Sequence, residues 1–322
     1  MDNATGSAIG AAVPTAGAAP ARAAAIPAPR RAEAAQSAAG YLLVGPAFFL
    51  MLLLLLGPAA AVLALSFTDY QLGAKTIAFI GLENYHELFG DRVFWKSLGN
   101  TLAYVLIVVP GAAGLGLGVA LLIEAGTGLK AFYRAAFFLP VMATLIAMAI
   151  TWEFMLHPQF GLINLTLKSI GLAPYNWLND PKLALPVLAA IGIWHSFGFN
   201  MVLFLAGIVS IPKHLYEAAE MDGAPNAWDR FRLVTWPMLG PVTVFVAIIS
   251  TIRSFQVFDT VHALTKGGPV KSTEVLLYTM YAEGFEFLRS AYAASIAVIF
   301  LGSVLVLTLI KTRLVDRHVH YS

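Results

Sequence analysis

Six apolar runs, each near bilayer length, dominate the chain and are separated by polar, turn-rich connections. A hydrocarbon core about 30 Å thick takes roughly 20 residues of α-helix. On that measure the pattern predicts spans over about 41–66, 102–123, 135–155, 183–209, 238–260 and 290–310. Pro46, Pro110, Pro140 and Pro186 fall inside these runs. Membrane helices tolerate proline because neighbouring groups re-satisfy the freed backbone. The fold class is therefore an all-α integral membrane protein with six transmembrane helices, the membrane domain covering 41–311.

The flanks read differently. Of the first forty residues seventeen are Ala, four Pro and four Gly, with Arg22, Arg30 and Arg31 near the end. That stretch has neither helical nor strand periodicity and no large apolar stripe, so 1–40 reads as a disordered tail. The apolar run behind it is too long for a signal-peptide core, so the tail is expected to be retained. Residues 312–322 form a short polar tail, and His318 and His320 there read as solvated.

Composition agrees with the spans. Hydrophobic residues make up 59% of the 322 and charged residues 12%, about half the charged fraction of a soluble globular chain. The absence of cysteine excludes disulfides, thiolate metal sites and cysteine nucleophiles. A net charge of +2 with no clustered basic face gives no footprint for nucleic acid. Six spans put both termini on one side. With the N-terminus inside, inner segments hold eleven Lys and Arg against eight outside, and Lys311, Arg313 and Arg317 lie beside the last span. The positive-inside tendency then favours an N-in, C-in topology.

The connection 210–237, between the fourth and fifth spans, is far longer than the roughly 2–8 residues that join bundled helices. Ser210 with Pro212 is expected to open a short helix that stops at a left-handed Gly223. Asn226, with Asp229 three residues on, is expected to start a second helix reaching Pro237. Glu217, Ala218, Ala219, Glu220 and Asp222 combine a small-residue surface with acids. A helix resting on lipid headgroups would favour bases instead, so a helix–turn–helix that docks a protein is the stronger reading.

The sequence Glu217-Ala218-Ala219-Glu220-Met221-Asp222-Gly223-Ala224, followed by Phe231 and Pro237, resembles the EAA loop of ABC importer permeases, in the carbohydrate branch of the binding-protein-dependent family. Further blocks resemble that branch in order: Gly81 to Tyr85 before Asn100-Thr101, Trp152 through Pro158 to Asn164, and Gly267-Gly268-Pro269 with Thr273, Tyr281 and Phe285. The resemblance covers roughly 41–318. Two positions depart from it, since Gly223 and Pro237 are one residue further apart and Trp236 replaces leucine. It implies a bacterial inner-membrane permease subunit carrying sugar, oligosaccharide or polyol, with glycerol phosphate as the alternative solute. It also implies a cytoplasmic ATPase dimer docked on the EAA loop, an extracytoplasmic solute-binding protein and a second permease, by family habit a different chain. In that family Glu217 would meet a basic group of the ATPase.

No ATPase lies in the chain itself. A phosphate loop needs G-x-x-x-x-G-K-[ST], and the nearest imitation, Gly267 to Ser272, lacks glycine before Lys271. The chain is expected to be non-catalytic, with no cofactor and no metal. Gly114, Gly116 and Gly118 mimic a dinucleotide fingerprint inside an apolar span, where a close helix contact is expected. Ionisable residues inside spans are costly and are functional candidates. Counting 1.5 Å per residue, Glu153, His195 and Arg253 lie roughly 27, 21 and 24 Å along their spans, in one layer. Arg253, Gln256 and Thr260 share a helical face, and Trp194 lies at similar depth. These six are the solute-pathway candidates; the other possibility is a Glu153–Arg253 pair that fixes packing. Outer loops carry eight bases and eight acids, which favours a neutral solute over an anionic one. A secondary transporter would show inverted repeats or paired broken helices, and no convincing pair is present.

Overall fold

The computed structural model describes residues 30–126 and 128–316, with side chains over 40–126 and 128–309. All extended elements among them are helical, apart from one isolated bridge between Thr68 and Phe79. The chain divides into two units, 1–57 and 58–322. The first, where described, is α1 (Arg30–Met51) and a π-type turn (Leu52–Leu56) closed by the Gly57 N–H on the Leu52 carbonyl. Helix thus begins ten residues before the expected tail boundary. The Ala-rich stretch after Arg31 has high intrinsic helix propensity without needing an apolar stripe, and Pro29 precedes the first turn. Residues 1–29 lie outside the described residues.

The second unit follows from α2 (Gly57–Leu65) through α3 (Glu83–Gly90), α4 (Arg92–Ala125), α5 (Lys130–Met142), α6 (Leu145–Met155), α7 (Leu162–Ser169) and α8 (Ala184–Ser210). It continues with α9 (Lys213–Met221), α10 (Ala227–Arg230), α11 (Trp236–Met238), α12 (Gly240–Phe255), α13 (Asp259–Leu264), α14 (Leu276–Tyr281) and α15 (Ser290–Asp316). Five helices among the described residues are long and apolar enough to cross a membrane: Gly40–Leu65, Arg92–Ala125, Ala184–Ser210, Gly240–Leu264 and Ser290–Leu309. The third expected span, 135–155, is instead a pair, α5 and α6, bent by 96° at Ala143 and Thr144. Pro140 has no N–H to continue the ladder, and Ala143 and Thr144 are both extended. The last span was expected to end at 310, but no Gly or Pro follows and the helix runs on to Asp316. Residues 317–322 of the expected C-terminal tail, with both its histidines, lie outside the described residues.

Helix α4 begins ten residues before the expected 102 because Asp91 caps it, accepting from the Val93 N–H at 2.7 Å. Three buried clusters follow along it. Phe94 packs with Leu88, Leu276 and Ile296. Tyr104 and Val108 pack with Leu188, Val257 and Val261. Ala120 and Ile123 pack with Met201, Phe204 and Leu239. Lipid supplies no hydrophobic drive for helix association, so close approach of small residues must hold such contacts. Gly116 answers for one of them: a Cβ there would lie 2.8 Å from Asn200 Cβ and 2.9 Å from the Met201 nitrogen. Gly114 and Gly118 face open space, so one glycine of the three makes the expected contact.

The loops are clipped by asparagines, Asn84 and Asn164 buried and Asn100 half-buried. Asn84 donates to the Ser66 and Thr68 carbonyls at 2.9 and 2.8 Å. Asn100 donates to those of Lys271 and Glu274 at 3.1 and 2.8 Å, and Thr101 Oγ1 accepts from the Leu276 N–H at 2.9 Å. Asn164 donates to the carbonyls of His157, Pro158 and Tyr175, and accepts from the Tyr175 N–H and Trp177 Nε1. Replacing Asn164 with leucine would remove the partner of the Tyr175 N–H, Trp177 Nε1 and the Pro158 and Tyr175 carbonyls, at about 1–3 kcal/mol for each that water does not reach. The expected result is a fall in the melting temperature of the purified protein and a protease-sensitive 157–177 segment. An unchanged melting temperature would refute the clip. Near the start of α15, Arg289 bridges Glu87 and Glu283, the latter at 3.2 Å. Burial pushes the Glu283 carboxyl above the usual carboxylate range, against the opposing pull of Arg289.

Candidate functional site

Two features stand out, a polar recess and the connection between α8 and α12. The recess, about 220 Å³, is lined by His195 and Ser196 of α8 and by Arg253, Gln256, Asp259 and Thr260. Tyr104, Gly192, Leu145 and Phe258 complete much of its wall. Four of the six candidate residues therefore meet in one cavity: His195, Arg253, Gln256 and Thr260. They do so without the continuous helix that was expected, because α12 stops at Phe255 and α13 begins at Asp259. Phe258 breaks the ladder at φ −146°, ψ −57°.

Glu153 and Trp194 do not line the recess. Glu153 is exposed on α6; Trp194 packs edge-on against Trp152 with ring centroids 5.4 Å apart. Depth counted at 1.5 Å per residue assumes one straight helix, and the 96° bend between α5 and α6 invalidates it for Glu153. The alternative Glu153–Arg253 pair is not among the ion pairs of the described residues. Arg253 instead lies over the Phe199 ring, 4.1 Å from its centroid, a cation–π contact. His195 Nε2 is 3.4 Å from the Ala143 carbonyl, an acceptor that the break between α5 and α6 leaves free of a helical partner.

Sequence reasoning missed Asp259, Ser196 and Tyr104. Asp259 falls within the expected 238–260 span, so the rule that flagged Arg253 would also have flagged it. Ser196 and Tyr104 carry no charge signal and become visible only once the helices are packed.

The connection after α8 is built on a Schellman turn. Asp222 closes α9, Gly223 follows at φ +90°, and its N–H reaches the Glu220 carbonyl at 3.3 Å. The Ala224 N–H reaches the Ala219 carbonyl at 3.0 Å, and Ala224 is buried. This is the hydrogen-bond pair that satisfies the last carbonyls of a helix through a left-handed residue. Ser210, expected to cap α9, is the last residue of α8 and donates to the Gly207 carbonyl; Pro212 occupies the cap position. Asn226 does precede α10, with its amide 3.3 Å from Asp229 Oδ2. A π-type turn over Phe231–Thr235 joins α10 to α11. Such a turn absorbs one extra residue in a helix, which accounts for the added residue between Gly223 and Pro237.

Leu215, Tyr216 and Ala219 turn α9 toward the buried cluster at the end of α4, and Tyr216 bonds Thr235 Oγ1 at 3.0 Å. Glu217, Ala218, Glu220 and Asp222 remain exposed, Glu220 at 3.9 Å from Arg230. Beside them a groove of about 540 Å³ is lined by Ala218, Ala219, Asp222, Gly223, Ala224 and Leu233 among others.

Long apolar helices around a polar recess define a membrane permease component. Residues 112–320 match the family described as "Binding-protein-dependent transport system inner membrane component", and the chain belongs to that family. It is thus the inner-membrane permease subunit of an ABC importer. Among its relatives, the lactose transport system permease protein LacF of Rhizobium radiobacter is 34% identical over 84% of this chain and 92% of that one. The sn-glycerol-3-phosphate transport system permease protein UgpA of Agrobacterium fabrum is 32% identical over 87% and 96%. The fold is similar to that of a bacterial ABC transporter involved in the import of the acidic polysaccharide alginate, with TM-score 0.78, 23% identity, and coverage of 89% and 98%.

Proposed function

We propose that this subunit carries a sugar, oligosaccharide or polyol through the recess formed by His195, Arg253, Gln256 and Thr260. The reading takes α5 and α6 together as one span, giving six with both termini inside: a membrane domain over 41–311 and a polar C-terminal tail from 312. It places α9 and α10 at the cytoplasmic face as the EAA coupling element, with Glu217 to Gly223 meeting a separate ATPase that hydrolyses ATP. A second permease, of different sequence, completes the pathway, and an extracytoplasmic binding protein delivers the solute. The observation that carries the reading is the recess itself, whose guanidinium, amide, hydroxyl and carboxylate groups converge between long apolar helices. Ionisable groups within membrane-spanning helices are expensive unless they serve a pathway. Arg253 and the relatedness to a glycerol-phosphate permease favour glycerol phosphate as the second reading.

Arg253→Ala tests the reading. Arg253 is exposed to the recess and makes no ion pair with Glu153, so its loss is expected to leave assembly with the ATPase unchanged. Uptake is expected to fall about tenfold or more, the value of one charged hydrogen bond. Loss of the assembled complex with the variant would assign Arg253 to packing instead.

A further inference from the structure

Arg253 and Asp259 are the two groups of fixed charge on the recess wall, and they do not neutralise each other. Both line the cavity, yet they form no ion pair among those of the described residues, and Arg253 lies over Phe199 instead. On an unbroken helix, at about 100° per residue, six positions would place their side chains about 120° apart on the circumference. Thr260 would fall beside Arg253, and Asp259 would not. The break between Phe255 and Asp259 changes the helical phase and brings the carboxylate into the wall. The structure thus places a cation and an anion around one small volume, with Gln256, Thr260 and Ser196 between the charged groups in chemical character.

The geometry points to Asp259 as the residue that sets the charge selectivity of this recess, acting with Arg253 as a separate acceptor and donor for a neutral, hydroxyl-bearing solute. The inference rests on the reading of the recess as the solute pathway. A hydroxyl group can donate to the carboxylate and accept from the guanidinium, so a solute with several hydroxyls satisfies both without a proton moving. A phosphate monoester or a sulfonate group is anionic and offers acceptors alone at its charged end. It would pair with Arg253 but stand against Asp259, and at low dielectric that repulsion is large. A cation meets the opposite conflict. The recess therefore disfavours net charge of either sign while keeping strong polar groups.

The absence of cysteine from the chain gives a direct probe of this field. Ser196→Cys puts a thiol on the recess wall. In the assembled importer in native membranes, its reaction rates are measured with an anionic sulfonatoethyl methanethiosulfonate and a cationic trimethylammonium-ethyl methanethiosulfonate, and the cysteine-free parent sets the background. The two rates are expected to be comparable once corrected for intrinsic reactivity. Adding Asp259→Asn is expected to raise the anionic-to-cationic ratio about five- to tenfold, and adding Arg253→Gln to lower it by a similar factor, the scale of one charge at side-chain distance in a partly hydrated cavity. If Asp259→Asn does not assemble, the Arg253→Gln arm still reads the field. A ratio that already favours the anion strongly, or that neither substitution moves, overturns the selectivity role while leaving the pathway reading intact. If Ser196→Cys reacts with neither reagent, the recess is closed to aqueous solutes, and the selectivity role and the pathway reading fall together.

Discussion

Replacing Gly116 with leucine is expected to abolish accumulation of the folded subunit, whereas the same change at Gly114 or Gly118 is tolerated. The contrast follows from what each position meets. A Cβ at Gly116 would lie 2.8 Å from Asn200 Cβ, 2.9 Å from the Met201 nitrogen and 3.0 Å from the Phe197 carbonyl. Two of these atoms are backbone of α8, so no rotamer change makes room; the helices must separate. Separation exposes Asn200, which is buried and bonded to Ser250 of α12 at 3.2 Å, and loosens the contact that joins α4 to α8. Overpacking alone costs about 1–3 kcal/mol, and the lost close approach cannot be offset by water leaving apolar surface, because lipid is as apolar as the core. Gly114 and Gly118 meet nothing within 4 Å. Membrane-extracted protein, followed by size-exclusion chromatography and a thermal melt, reads the difference. Equal loss at all three positions would show that the contact between α4 and α8 is not what Gly116 serves.

That glycine shows where sequence reasoning works in this chain and where it stops. Apolar run length located the membrane helices because twenty apolar residues have few other stable settings in water. It missed the ends: Asp91 starts α4 ten residues early, and an Ala-rich stretch extends α1 back to Arg30. Local capping and propensity set these ends, and neither enters an apolar count. It also missed the two breaks, at Ala143 and at Gln256 to Phe258, each short and without a glycine. Those breaks decide the recess. The first carries Glu153 out of the expected layer; the second brings Asp259 in. Polar blocks such as Asn100-Thr101 and Asn164 carried the family resemblance in the sequence, and in the structure their side chains clip loops. An asparagine that will bond three carbonyls looks, in one dimension, like an asparagine that will bond a sugar. The turn at Gly223 was legible in residue detail, because a left-handed position after a helix selects glycine for a local steric reason.

On the proposed coupling role, reversing the charge of Glu217 to lysine is expected to uncouple the importer without unfolding it. The scaffold of α9 does not depend on this side chain. Leu215, Tyr216 and Ala219 hold the helix to the buried cluster, the Tyr216 hydroxyl bonds Thr235, and the turn at Gly223 is closed by backbone hydrogen bonds. Glu217 projects from the exposed side with Ala218 beside it and Glu220 one turn on. Glu220 faces Arg230 at 3.9 Å, so part of its field is already answered within the subunit. Glu217 and Asp222 make no ion pair among those of the described residues, which leaves them for a basic partner. A lysine at 217 would set like charges against each other, a mismatch worth several kcal/mol at a protein interface. The expected result is normal abundance and melting temperature, loss of most co-purifying ATPase, and uptake reduced a hundredfold or more, since about 2.8 kcal/mol corresponds to that factor. Glu217→Gln, which removes charge without opposing it, is expected to fall between. Should Glu217→Lys retain both the ATPase and full uptake, the acidic face of α9 is not where the subunit is driven, and the groove beside Ala218 and Gly223 would have to serve something other than an ATPase.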